Sequence, residues 1–114
     1  MNQDTEVNIF RALDFIRDHA PAYAKAKAER VYLEEWRKSK KALCMQTALS
    51  KGFEAANAQE REAYADPDYI ELLQALKAAV EEEERLRWLI VGAQAKIEVW
   101  RTLEANRRVE AKTL

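Results

Sequence analysis

The sequence predicts an all-α protein: a helical hairpin with one very long C-terminal helix, a long second helix and two short ones. Three observations carry this. Two glycines and two prolines in 114 residues leave little material for turns. Ala, Leu, Glu, Lys, Arg and Gln dominate the composition, and all are good helix formers. The few helix breakers sit where helices begin or stop, and nothing points to a sheet. The length is that of a single helical domain over 1–114, with enough chain for a modest core.

Asp4 or Thr5 can cap a first short helix near 5–18, with Ile9, Leu13 and Ile16 on one face. His19 falls in its last turn, where a cation or a donor to free carbonyls is common. Pro21 suits the first turn of a second helix, about 21–50, with Gly52 as its C-terminal stop. Its stripe is Ala22, Ala26, Leu33, Trp36, Leu43 and Thr47, interrupted by Glu29 and Lys40. Asn57 with Glu60 reads as a capping box for a short helix near 58–65. Asp66 then caps and Pro67 opens the last helix, about 67–108, roughly 60 Å long at 1.5 Å per residue.

At 100° per residue, Tyr69, Leu72, Leu73, Leu76 and Val80 share one face of that helix. Leu86, Leu89, Ile90, Ala93, Ile97 and Trp100 share another. Supercoil drift of about 20° per heptad is too small for the displacement, so the helix changes partners near residues 81–85. The run Glu81 to Glu84 marks that crossover and is expected to be exposed on most sides. Glu81 with Arg85 and Glu83 with Arg87 stand at i,i+4. A further row, Trp88, Gly92, Ala95, Val99 and Leu103, leaves the second half apolar on two sides. Too little chain remains to cover both, which predicts a coiled-coil-like homo-oligomer through 86–103. The expected interface is Trp88, Ile90, Gly92, Ile97, Val99, Trp100 and Leu103. Gly92 would permit a close backbone approach.

Charge supports the hairpin. Residues 25–53 carry eight basic and three acidic side chains, whereas 54–84 carry two and ten. An antiparallel pairing sets the basic block against the acidic one, so the glutamates are mostly hairpin complementarity. The net charge of −1 provides no global field toward DNA or an anionic membrane. No apolar run approaches the roughly 20 residues that span a bilayer. "MNQDTEVNIF" lacks the basic start and apolar run of a signal peptide, so a cytoplasmic protein is expected. Cys44 is the lone cysteine and reads as a small buried hydrophobe.

Catalysis is not expected. A carboxylate di-metal site wants Glu-x-x-His pairs on facing helices, but the sole histidine, His19, has Ile16 three residues before it. No paired catalytic carboxylates, phosphate loop or Ser/His/Asp set can be assembled, and no metal or cofactor is implied. Nucleic-acid mimicry by the glutamates is disfavoured by the interleaved Arg85 and Arg87. The candidate nucleic-acid patch is Trp36, Arg37, Lys38, Lys40 and Lys41: cations to neutralise phosphates and an indole to stack on a base. The plainer alternative makes Trp36 core and the cations a solvated or glutamate-facing side. Arg101, Arg107, Arg108 and Lys112 form a second, looser basic group.

The segments "YLEEWRKSKKALCM" and "AQEREAYADPDYIELLQALKAAVEEEERLRWLIVGAQAKIEVWRTLEANRR" together resemble a group of proteins over about residues 30–108. These are small, mostly uncharacterised all-helical phage and prophage proteins of Gram-negative bacteria, often encoded among replication and recombination genes. It is a likeness of whole helices, so no functional residue is carried over. The resemblance implies the cytoplasm of an infected or lysogenic bacterium. It also implies a setting near DNA recombination or replication functions and adds nothing to mechanism; with no catalytic set in the sequence, a non-enzymatic accessory role there is expected, through a phage or host protein of DNA metabolism or single-stranded DNA. An inhibitor of a host protein and a purely structural helical oligomer are the alternatives.

Overall fold

A computed structural model of the chain describes residues 8–113. Three helices account for nearly all of them: α1 (Ile9–Ser50), α2 (Ala56–Ala65) and α3 (Pro67–Thr113), with no strand among the described residues.

Asn8 caps α1, its Oδ1 accepting the Arg11 backbone N–H at 3.1 Å. The cap expected at Asp4 or Thr5 lies outside the described residues. The helices expected near 5–18 and 21–50 are one continuous helix that passes through Pro21. Proline withholds one N–H, from the carbonyl of Arg17, but Pro21 and Arg17 are both exposed, so water can serve that carbonyl. Alanines at 20, 22, 24, 26 and 28 favour helix on both sides. His19 takes the expected donor role without a helix end: its Nδ1 donates to the Phe15 carbonyl at 2.8 Å, and its ring stacks on Phe15 at 3.8 Å.

The stop at Gly52 is as the sequence predicts. Gly52 N–H donates to the Leu49 carbonyl (3.0 Å) and Phe53 N–H to that of Ala48 (3.1 Å), the two bonds of a Schellman end. Gly52 has φ +103, a conformation a side chain would resist. The capping box is a correction. Helix α2 begins at Ala56, its cap residue Ala55 makes no side-chain cap bond, and Asn57 Oδ1 accepts from the adjacent Ala58 N–H at 2.9 Å. Glu60 is instead held by Lys41 at 2.8 Å, a stronger partner than a backbone amide. The connection is tied down by Gln59, whose Nε2 donates to the carbonyls of Phe53 (3.0 Å) and Glu54 (3.1 Å).

Asp66 alone separates α2 from α3. Its N–H closes α2 on the Ala63 carbonyl (3.2 Å), its carboxylate accepts Asp68 N–H (2.8 Å), and its carbonyl accepts Ile70 N–H (3.0 Å). The start at Pro67 is as expected, and α3 continues past Arg108 to Thr113.

The chain forms two compact units. One is Lys25–Glu83, called here the hairpin unit; the other combines Met1–Ala24 with Glu84–Leu114 and is called the terminal unit. The division on α3 falls between Glu83 and Glu84, inside the segment where the sequence places the change of packing partner.

In the hairpin unit α1 and α3 run antiparallel, since Arg30 meets Glu83 and Lys40 meets Asp68. The core is Cys44, Ala63 and Tyr69, with Met45 against it. Ala26, Leu33 and Ala48 extend the buried side of α1. That side is rotated from the expected stripe: Ala22, Trp36, Leu43 and Thr47 are exposed. Small residues at 26, 44 and 48 permit close helix packing, which moves bulky Trp36 and Leu43 to the outside. Among the described residues of the terminal unit the buried side chains are Ala12, Leu86 and Ala93. Ile16, His19 and Tyr23 on α1, and Ile90, Ile97 and Trp100 on α3, are half-buried.

Candidate functional site

The basic segment of α1 does not form a single cationic face. Lys41 Nζ donates to Glu60 Oε1 and to the Tyr64 hydroxyl, both at 2.8 Å, and lies 4.6 Å from the Tyr64 ring centroid. The hydrogen bond to Glu60 holds Lys41 charged well above the ordinary lysine range, and the same bond lowers the Glu60 carboxyl. Lys40 reaches Asp68 at 3.8 Å. Lys38 pairs with Glu35 one turn back, at 3.3 Å, and both side chains are largely in water. Arg37 is half-buried. Trp36 is 38% exposed, but Arg37 and Lys41 point roughly 100° or more away from it around the helix. Of the four cations, the helix brings Lys40 nearest in azimuth to the indole, and Lys40 is the one drawn toward Asp68.

What lies beside Trp36 is apolar. Tyr32, Trp36 and Leu43 recur at i, i+4 and i+11, all exposed, roughly 100° from the buried side of α1. The stripe predicted from the sequence, Ala22, Ala26, Leu33, Trp36, Leu43 and Thr47, holds Trp36 and Leu43 but not Tyr32. The signal available was the size contrast: one side of this helix carries small residues, the next carries aromatics.

The seven residues expected at an oligomer interface fall on two sides of α3. Ile90, Ile97 and Trp100 are half-buried on the side of Leu86 and Ala93. Trp88, Gly92, Val99 and Leu103 are exposed, roughly 130° away, and Ala95 lies with them. Trp88 is 60% exposed, with the Arg87 guanidinium 4.5 Å from its ring centroid. The close approach expected at Gly92 is not made by this chain: a Cβ there would meet nothing within 4 Å. A glycine inside a helix costs about 1 kcal/mol relative to alanine, and the internal packing supplies no return for it.

The glutamate run divides. Glu81 and Glu82 are exposed and Glu84 is half-buried, holding Arg87 at 2.7 Å. Glu83, expected to be solvated, is buried at 6% exposure. Arg30 Nε and NH2 donate to its two oxygens at 2.7 and 3.0 Å, while Arg30 NH1 donates to Glu34 at 3.0 Å. This planar fork matches a carboxylate and keeps Arg30 charged far above any accessible pH, chiefly through the bond to Glu83. The expected hairpin complementarity is therefore concentrated in one glutamate, the one whose phase on α3 faces α1.

Cys44 is buried, as expected, and burial raises its thiol pKa, with Asp66 adding to the effect. No group of three or more His, Cys, Asp or Glu side chains suited to a metal occurs among the described residues. Among the same residues no helix is long and apolar enough to cross a membrane.

No family model matches the chain, and no curated protein or solved structure is similar to it.

Proposed function

We propose that the protein acts without catalysis, as a helical accessory factor of phage DNA recombination or replication that self-associates and works through protein–protein contacts. One observation carries the protein–protein part: large apolar side chains, Tyr32, Trp36, Leu43, Trp88, Val99 and Leu103 among them, stand in water in rows along both long helices. Rows of this kind mark surfaces that other proteins cover. The non-catalytic part rests on the thiol: Cys44 is buried and its pKa is raised by that burial, the opposite of an activated cysteine. The setting in phage DNA metabolism and the cytoplasm rests on the resemblance of residues 30–108 alone.

Contact with single-stranded DNA is secondary in this reading, because Lys38, Lys40 and Lys41 already face carboxylates. A cation paired in this way has less to gain from a phosphate. Affinity purification of the tagged protein from phage-infected cells, with and without nuclease, tests the proposal. A protein of the replication or recombination machinery that stays bound after nuclease treatment is expected. Loss of every partner on nuclease treatment would transfer the role to nucleic acid.

A further inference from the structure

Within the hairpin unit the printed ion pairs fix which side of α3 adjoins the exposed aromatics of α1. Lys40, about 40° round α1 from Trp36, reaches Asp68, so the Asp68 edge of α3 lies on the Trp36 side. Lys41, about 140° from Trp36, instead meets α2 at Glu60 and Tyr64, which puts α2 on the side away from Trp36. Ala75 and Ala79 share the azimuth of Asp68 to within about 20°. With residue 30 facing 83 and residue 40 facing 68, Ala75 falls level with Trp36 and Ala79 level with Tyr32. One side of the hairpin unit is therefore an aromatic wall, Tyr32 and Trp36, standing over a shelf of alanines.

We infer that this side docks a cationic amphipathic helix of a partner protein, its apolar face against the wall and shelf and its basic side chains toward the rim. The inference gives the protein–protein reading above a surface and a partner chemistry, and rests on it.

Charge selects the partner. The rim of α3 on this side carries Asp68, Glu71 and Glu82, all exposed, and the one base between Pro67 and Glu83, Lys77, lies half a turn away on the other edge. On α1, Glu29 lies about 20° from Trp36 and is also exposed. Lys25 and Lys40 are the bases on this side, and Lys40 is drawn to Asp68. An acidic rim around an apolar floor attracts a helix that carries cations beside its apolar stripe and repels an acidic one.

Shape and area select a helix over a second copy of the chain. Alanines at 75 and 79 let a backbone approach closely, as a helix laid along the aromatic wall requires. With aromatic side chains near 200 Å², Tyr32, Trp36 and Leu43 together expose roughly 300 Å². Two copies paired through these residues would bury about 600 Å² in total, half the lower limit of ~1,200 Å² for a stable interface. Such a pairing would also bring two acidic rims together. A contact of this size is weak and reversible.

The probe is a fluorescently labelled synthetic amphipathic helix of leucine and lysine, titrated with the full chain and followed by anisotropy. Saturable binding in the micromolar range, weakened by added salt, is expected. The same peptide with glutamate in place of lysine should bind at least about tenfold more weakly. Trp36→Ser, and the double change Glu29→Lys with Glu71→Lys, should each weaken the lysine peptide about tenfold, with helicity unchanged by circular dichroism. Trp88→Ser, on the terminal unit, should leave binding unchanged. Equal binding of the two peptides, no binding of either, or loss in Trp88→Ser in place of Trp36→Ser would overturn the assignment. A wild-type mass above 13.2 kDa in light scattering that falls to 13.2 kDa in Trp36→Ser would give this side to a second copy and overturn it as well. If the peptide test fails while the infected-cell partners survive nuclease treatment, the protein–protein reading stands at another surface; if those partners are lost too, both fall.

Discussion

In the hairpin unit, side chains distant in sequence find one another: Arg30 reaches Glu83, Lys41 reaches Glu60, and Cys44, Ala63 and Tyr69 close a core between them. The terminal unit uses the same two long helices differently. There the pairs Arg17–Asp14, Arg101–Glu98 and Arg107–Glu104 join residues three apart on one helix, and the buried side chains among its described residues are two alanines and a leucine. Pairs of that local kind support a helix but do not say which neighbour it should have. The hairpin unit is thus specified from within. The terminal unit half-buries Ile90, Ile97 and Trp100 but leaves Phe10, Trp88 and Val99 exposed.

The largest test of this contrast is Tyr69→Ala. Removing a buried ring from the hairpin core should cost about 3–4 kcal/mol, read as a lower midpoint in urea unfolding followed by circular dichroism. Leu86→Ala in the terminal unit should cost about 2–3 kcal/mol. Hydrogen exchange should then show protection lost over 8–24 and 84–113 and kept over 25–83; uniform loss would mean that the units do not differ in stability. Glu83→Gln should cost about 1–2 kcal/mol, because one arm of the Arg30 fork then meets an amide, while Glu81→Gln stays within about 0.5 kcal/mol. Equal effects at the two positions in thermal melts would return Glu83 to the solvated surface. Gly52→Ala should cost about 1 kcal/mol through its positive φ, measured the same way.

Acid gives the smallest and most graded effect. The Asp66 carboxyl is lowered by its bond from Asp68 N–H, and that of Glu60 by Lys41. Groups lowered in the folded state stabilise it fully above their unfolded values, near pH 4 to 4.5. The gain is lost as pH falls from there through the depressed folded values. Both groups lie in the hairpin unit, so acid titration followed by residue-resolved exchange should loosen α2 and the start of α3 first. Stability that is flat through this range, or that rises on acidification, would show that these carboxylates are not held by their partners.

Much of the architecture was legible because local chemistry fixes it. Gly52 with its positive φ, and the Asp66-Pro67 start, require no knowledge of distant residues. What misled was evidence of the wrong range. Pro21 reads as a break only when its alanine-rich flanks and exposure are ignored, and Asn57 reads as a cap until Lys41 is known to claim Glu60. The burial of Glu83 depends on Arg30, fifty-three residues away, which no local pattern reports. The candidate site was legible as a set of residues but not as surfaces. The predicted stripe joins Trp36 to Leu43 but also to Ala26 and Leu33, whereas the helix buries Ala26 and Leu33 and leaves Trp36 and Leu43 exposed beside Tyr32.

The one-residue junction at Asp66 has a consequence for how such a chain can change length. Between Ser50 and Ala56 the backbone leaves helical geometry for several residues, so an insertion there can be absorbed by the loop. Between Ala65 and Pro67 nothing can absorb it. One extra residue drawn into the helix at that point would turn every following side chain of α3 by about 100° relative to α2. Tyr69 would leave the core and Glu83 would leave Arg30 in a single step. The junction behaves as the reading frame of the long helix, and insertions or deletions in relatives of this chain should collect in 51–55 and avoid 65–67.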